Sequence, residues 1–216
     1  RDLHSLRRRQ RQMCIRDRVG FASLNPWRGR AAIEELERAV EDLGLRGLKL
    51  YPNMDAFYPD DVRFYPLYQR ALELGVPVMF HTGTTGLGAG LPGGAGVRLE
   101  YSRPIHIDRL ASDFPDLTII MAHPAWPWLE EQLAVVAHKA NVYMDLSGWA
   151  PRYFPKMLLT YLKVFIPDKC LFGTDYPFIR PERWLSEFRQ LGLPEEVVRK
   201  VLEENARRVL GLPSTR

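Results

Sequence analysis

The chain has 216 residues, of which 46% are hydrophobic and 26% charged, enough to bury one sizeable core and short for two. No run of about 18 apolar residues exists, so no membrane-spanning helix is expected, and the arginine-rich start lacks the apolar segment of a secretory leader. Two cysteines, Cys14 and Cys170, make no disulfide framework, and the default expectation is a cytoplasmic protein.

The formal net charge of +4 is unevenly placed. Residues 1–18 hold seven arginines and two acids, which leaves 23 basic and 24 acidic residues in the rest. The body is therefore near neutral, with no basic patch interleaved with aromatic residues, and neither a nucleic-acid nor a membrane partner is expected. Met13-Cys14-Ile15-Arg16-Asp17-Arg18 resembles the translated end of a transposon used to prepare sequencing libraries. Residues 1–18, including His4, are accordingly expected to be non-native, and residues 19–212 to form one domain.

From Val19 the chain alternates short apolar runs with amphipathic stretches. Val19–Leu24 reads as a strand stopped by Asn25-Pro26. Ala31–Leu43 carries Ile33, Leu36, Val40 and Leu43 at helical spacing, closed by Gly44. Gly47–Leu50 is a strand, Phe64–Leu74 a helix closed by Gly75, and Val76–Phe80 a strand. Leu117–Met121 is the next strand, followed by a helix over 126–138, a strand at Val142–Leu146 and a helix over 155–165. Cys170–Phe172 is the last strand, with helices at Pro181–Leu191 and Glu195–Leu210 behind it. Six strands alternating with helices imply a parallel sheet covered by helices, and runs such as Ile119-Ile120-Met121 predict strands buried on both faces.

The later strands end in residues of catalytic type. His81, His123, Asp145 and Asp175 follow successive strands at intervals of 42, 22 and 30 residues. In a closed parallel barrel all strand ends meet at one pocket, and imidazole with carboxylate is the donor set for zinc or a similar divalent ion.

Five strand-end motifs occur in order: Gly47-Leu48-Lys49-Leu50, Phe80-His81-Thr82-Gly83, Met121-Ala122-His123-Pro124, Met144-Asp145-Leu146-Ser147 and Phe172-Gly173-Thr174-Asp175-Tyr176-Pro177. Glu204-Asn205-Ala206-Arg207-Arg208 follows them. Together they resemble the amidohydrolase-related family that includes aminocarboxymuconate semialdehyde decarboxylase. The resemblance implies a distorted (β/α)₈ TIM barrel holding one divalent metal ion, usually zinc. It implies metal ligation by His81 and Asp175, and catalytic roles for His123 and Asp175. In one-metal members the histidine matching His123 activates water or orients substrate, whereas in two-metal relatives it is a ligand. The family's His-x-His pair is absent from this sequence, so the barrel is expected to be incomplete, with about strands 3 to 8 present. Two protein ligands fall short of the three typical of catalytic zinc, and the chain as written is expected to bind metal weakly and to be inactive.

Such machinery serves hydrolysis through metal-activated water, and hydrolase is the expected class. A nonoxidative decarboxylase (a carboxy-lyase) and a noncatalytic β/α assembly partner are the alternatives. The expected partner is a small-molecule substrate, a carboxylate among the candidates, bound by Lys49, Arg103, Trp126 and Trp149. An opened barrel also exposes apolar strand edges and tends towards homo-oligomers and poor solubility. The loop 82–102 holds seven glycines and is expected to be a lid. His106 and His138 are assigned no catalytic part. No G-x-S-x-G, P-loop or C-x-x-C occurs, which leaves serine hydrolase, NTPase and thiol-redox chemistry without support.

Overall fold

The computed structural model describes residues 19–213. The expectation that residues 1–18 are non-native therefore falls outside the described residues. Six strands form one sheet: β1 (Ala22–Ser23), β2 (Leu48–Leu50), β3 (Val78–His81), β4 (Ile119–Ala122), β5 (Val142–Asp145) and β6 (Cys170–Leu171). Each pairs in parallel with the next in chain order, and β1 and β6 are the two edges. Such sequential order, each strand beside its neighbours in the chain, is the order of barrel staves, and the sheet is an incomplete TIM barrel.

The crossovers carry helices α1 (Arg30–Glu41), α2 (Pro52–Asp55), α3 (Tyr65–Glu73), α4 (Ile105–Asp113), α5 (Leu129–His138) and α6 (Lys156–Val164). After β6 come α7 (Pro181–Arg189), α8 (Glu195–Arg199) and α9 (Asn205–Val209). The core lies between the sheet and these helices. Alternate strand residues (Leu48, Leu50, Val78, Phe80, Ile119, Met121, Val142 and Met144) are buried in it with Leu36, Leu110, Leu133 and Leu158.

The expectation of strands buried on both faces holds for β4, whose four residues are all buried, and needs correction at β2, β3 and β5. Lys49, Met79, Tyr143 and Asp145 alternate with the core residues and are only half-buried, because the second face lines the interior of a barrel that is open. Two helices also differ from expectation. The helix expected from residue 126 begins at Leu129; Pro127 disfavours helical backbone at the preceding Trp126, which stays in a loop. The helix expected to run unbroken over Glu195–Leu210 is interrupted by a π-turn at Lys200–Glu204. The wider turn has a use: the Val201 carbonyl accepts a hydrogen bond from the Phe172 amide at 3.0 Å. Just beyond it, fully buried Asn205 donates to the Pro167 and Cys170 carbonyls at 2.8 and 2.9 Å. Together these contacts satisfy backbone groups around edge strand β6.

Trp184 on α7 anchors the same end. It is fully buried, stacks on Phe188 at 4.7 Å and meets Phe172 edge-on at 5.0 Å, while its indole N–H donates to the Trp149 carbonyl at 3.2 Å. Trp184→Ala is expected to lower folding stability by about 3–5 kcal/mol, from lost burial and an unfilled cavity, as read by chemical denaturation. A loss below about 1 kcal/mol would show that this anchor is not used.

Candidate active site

Parallel register brings the polar strand ends together. His81 pairs with Ala122 and Ala122 with Asp145, so these three stand in one row at the carboxyl end of the sheet. Lys49 pairs with Met79, two residues before His81, and so lies on the same face one step lower. Tyr51 continues that face and stacks on the His81 ring at 5.8 Å, with the Lys49 ammonium 4.9 Å from the tyrosine ring centre.

His123 follows the row by one residue, and plain alternation would turn it towards the helices. Its φ of +74° breaks the alternation. The His123 ring instead meets the His81 ring edge-on, 4.9 Å between centroids. Asp175, in the loop after β6, has φ +60°. Left-handed backbone at a non-glycine residue costs on the order of 1–3 kcal/mol and persists where surrounding contacts enforce it.

For His123 those contacts are identifiable. Gln132 of α5 is fully buried; its amide donates to the His123 carbonyl at 2.8 Å and to the Thr82 hydroxyl at 3.2 Å, and accepts from the Ala125 amide at 2.9 Å. One side chain thus ties the end of β3 to the turn after β4. On the other side Ser147 Oγ lies 2.8 Å from His123 Nδ1, and the Ser147 amide donates to Asp145 Oδ1 at 2.6 Å. Two glycines permit this approach. A Cβ on Gly148, whose φ is +76°, would sit 2.7 Å from His123 Nδ1, and one on Gly173 would sit 2.8 Å from Ser147 Cβ.

His81 is 5% exposed. Its Nε2 lies 3.1 Å from the Thr84 carbonyl, which only accepts, so Nε2 carries the proton and Nδ1 the lone pair. Nδ1 is buried and has no hydrogen-bond partner among the described residues. Burial, then the facing His123 and Lys49, push the His81 imidazole down to about 3, which keeps it neutral. Burial likewise pushes the Lys49 ammonium down to about 8, against the pull of Asp145 and Asp175.

His81, His123 and Asp175 share a cavity of about 710 Å³ with Tyr51, Met54, Trp149 and Phe178. Thr84, Thr85, Gly86 and Leu87 of the glycine-rich loop form part of its wall. A larger groove of about 1040 Å³, lined by Arg46, Val76 and Leu212 among others, lies by the amino ends of β2 and β3, away from the His–Asp row. The substrate-binding expectations divide. Trp149 lines the cavity and Lys49 feels both aspartates, but Trp126 is 58% exposed and does not line it. Arg103 does not line it either: its guanidinium pairs with Glu131 at 2.9 Å, at the start of α5. His106, given no catalytic part, pairs with Asp60 at 3.0 Å. Tyr51, Gln132 and Ser147 went unpredicted as site residues. Gln132 had left a sign in the sequence, being a polar residue on the buried stripe of Leu133 and Val136.

A metal ion fits this donor set in part. His81 has the attributes of a ligand: a neutral ring, a free buried lone pair, and its other nitrogen donating to a backbone carbonyl. Asp175 adds a carboxylate. Among the described residues, however, no three His, Cys, Asp or Glu side chains converge closely enough to hold an ion. Further donors are needed, and the absent His-x-His pair is where the family resemblance puts them.

The low His81 value has a consequence for stability. The ordinary imidazole value is 6.5, so between about pH 6.5 and 3 the unfolded chain binds one more proton than the folded one. The stability contributed by neutral His81 is complete above that window and is lost as pH falls through it. By about pH 4.5 the loss is about 2–3 kcal/mol from this group. In His81→Gln, the stability difference between neutral pH and about pH 4.5 should shrink by that amount in urea titrations; an unchanged difference would place His81 in a solvated environment.

Comparison with known proteins agrees with this architecture. The amidohydrolase family profile matches residues 7–212. Decarboxylase orsB of Emericella nidulans is 27% identical over 225 residues, covering 83% of this chain and 66% of the relative. The TIM-barrel protein Bb4693 of Bordetella bronchiseptica superposes with a TM-score of 0.71 at 30% identity, over 90% of this chain and 65% of that one. A dihydroxybenzoic acid decarboxylase from Polaromonas, solved with bound manganese and the inhibitor 2-nitroresorcinol, gives a TM-score of 0.66 at 22% identity, over 96% and 75%. The chain thus spans about two thirds of the length of the first two relatives. No helix among the described residues is long and apolar enough to cross a membrane. Profile match, six-stave parallel sheet and ordered strand-end motifs agree, and the chain belongs to the amidohydrolase family.

Proposed function

We propose that this site, with its ligand set complete, performs metal-dependent nonoxidative decarboxylation of a small carboxylic acid. The observation that carries the reading is the shared cavity of His81, His123 and Asp175, in which the His81 Nδ1 lone pair has no partner among the described residues. Hydrolysis, the class expected from the sequence, would use the same groups. What favours decarboxylation is that the 27% identical relative carries that activity in its name.

His81 Nδ1 and a carboxylate oxygen of Asp175 would hold the ion. When bound, a divalent ion supplies Lewis-acid polarisation and acidifies water. In decarboxylation the bond to the carboxyl carbon breaks, its electron pair stays on the carbon left behind, and a proton replaces carbon dioxide there. Asp175 would hand on that proton through the carboxylate oxygen not facing the ion, while His123 would hydrogen-bond a substrate oxygen. Lys49, largely protonated at neutral pH with a value of about 8, would offset the substrate's negative charge beside Asp145 and Asp175. Tyr51, Trp149 and Phe178 would exclude water from a planar apolar body. Zinc was the metal expected from the family resemblance; manganese is the ion in the Polaromonas structure, and both are candidates here.

The complete protein is expected to contain about one divalent ion per chain by elemental analysis, and to release carbon dioxide from a panel of hydroxybenzoic acids. Chelation should abolish the release and re-addition of zinc or manganese restore it. Asp175→Asn should reduce kcat by about 10²–10⁴-fold. Ring or amide hydrolysis without carbon dioxide release would return the assignment to hydrolase, and absence of metal with no turnover would favour the noncatalytic alternative.

A further inference from the structure

We infer that Ser147 is a positioning residue that sets the tautomer of His123, making the neutral imidazole a hydrogen-bond donor through Nε2 rather than a base or a metal ligand through that nitrogen. The inference rests on the reading of the cavity as a reaction centre, but its basis is local geometry.

Ser147 is 5% exposed, so its hydroxyl proton has little access to water and needs an acceptor in the protein. Among the described residues the partner within reach of Oγ is His123 Nδ1, at 2.8 Å. Asp145 Oδ1 accepts from the Ser147 amide at 2.6 Å, which pins the serine backbone, and among the described residues the hydroxyl makes no hydrogen bond to that carboxylate. Were the proton on Nδ1, both Oγ and Nδ1 would present hydrogens and the buried hydroxyl would lose its acceptor. Donation from Oγ to Nδ1 satisfies both groups and leaves the imidazole proton on Nε2. Packing holds the arrangement: Gly148 leaves room over Nδ1 and Gly173 leaves room beside the Ser147 Cβ.

A donor at Nε2 suits a developing negative charge on a substrate oxygen, and it cannot ligate a cation through the same nitrogen. The alternative open to the family, a histidine here that binds a second metal, is thereby disfavoured at His123. The same hydrogen-bond accounting gives His81 the opposite tautomer, with its lone pair on Nδ1. Two histidines 4.9 Å apart are thus divided into a lone-pair donor and a proton donor by their hydroxyl and carbonyl partners.

Long-range proton–nitrogen NMR on the full chain with ¹⁵N-labelled histidine, under alkaline conditions that keep imidazoles neutral, reads the tautomer directly. The His123 signals are assigned by their loss in His123→Asn. Wild-type His123 should show a protonated Nε2 and a bare Nδ1; a protonated Nδ1 overturns the inference. Ser147→Ala should shift His123 to a mixture of tautomers, its two nitrogen signals moving towards each other. Ser147→Cys, which keeps the shape but donates weakly, should fall between and serves if the alanine variant does not fold. An unchanged His123 pattern in the folded variants also overturns the inference. None of these readings depends on turnover, so a failed decarboxylase assay and a failed tautomer assignment remain distinct results.

Discussion

The site depends first on the register of the parallel ladder. Pairing of β3 with β4 and of β4 with β5 sets His81, Ala122 and Asp145 abreast. A slip of one residue would send His81 and Asp145 to the helical face, because strand side chains alternate. The core enforces the register: Val78 and Phe80, Ile119 and Met121, and Val142 and Met144 must all face the helices together. Burying these side chains and placing the site are one event, since the alternate positions of the same strands face the cavity.

Register alone leaves His123 on the wrong side. Its left-handed backbone brings it back to His81, and buried polar groups hold it there. Gln132 and Ser147 grip it by carbonyl and ring respectively, at sites nearly sealed from water. In such places a hydrogen bond is worth more than at the surface, and an unmade one costs more. Asn205 plays the corresponding structural part at β6, which gives the Glu204-Asn205-Ala206-Arg207-Arg208 motif a physical meaning: its asparagine closes backbone groups at a sheet edge.

The electrostatics follow from the same geometry. Lys49, His81 and His123 crowd one end of the sheet, while Asp145 and Asp175 temper the lysine's charge. Burial keeps His81 neutral, the form in which imidazole offers a lone pair. A family fold of this kind supports several reactions, and since this site would serve hydrolysis equally, the decarboxylase proposal stands on one named relative.

Much of the architecture was legible in residue order alone. Strand–helix alternation, the six strand positions and the recurrence of His81, His123 and Asp175 after strands depend on local periodicity and on types of side chain, which a linear string carries. Arg103 and Trp126 lie outside the cavity lining because nearness to a site in sequence says nothing about which partner a side chain finds in space; Glu131, 28 residues away, holds the arginine. The π-turn at Lys200–Glu204 was equally invisible, since the Phe172 amide that bonds its Val201 carbonyl lies 29 residues earlier, just past β6. The sequence by itself determined which residues could do chemistry and at which ends of which elements they sit. Only the tertiary structure decided the left-handed turns, the approach of Ser147 to His123 and the Gln132 clamp, because each is enforced by contacts between segments remote in the chain.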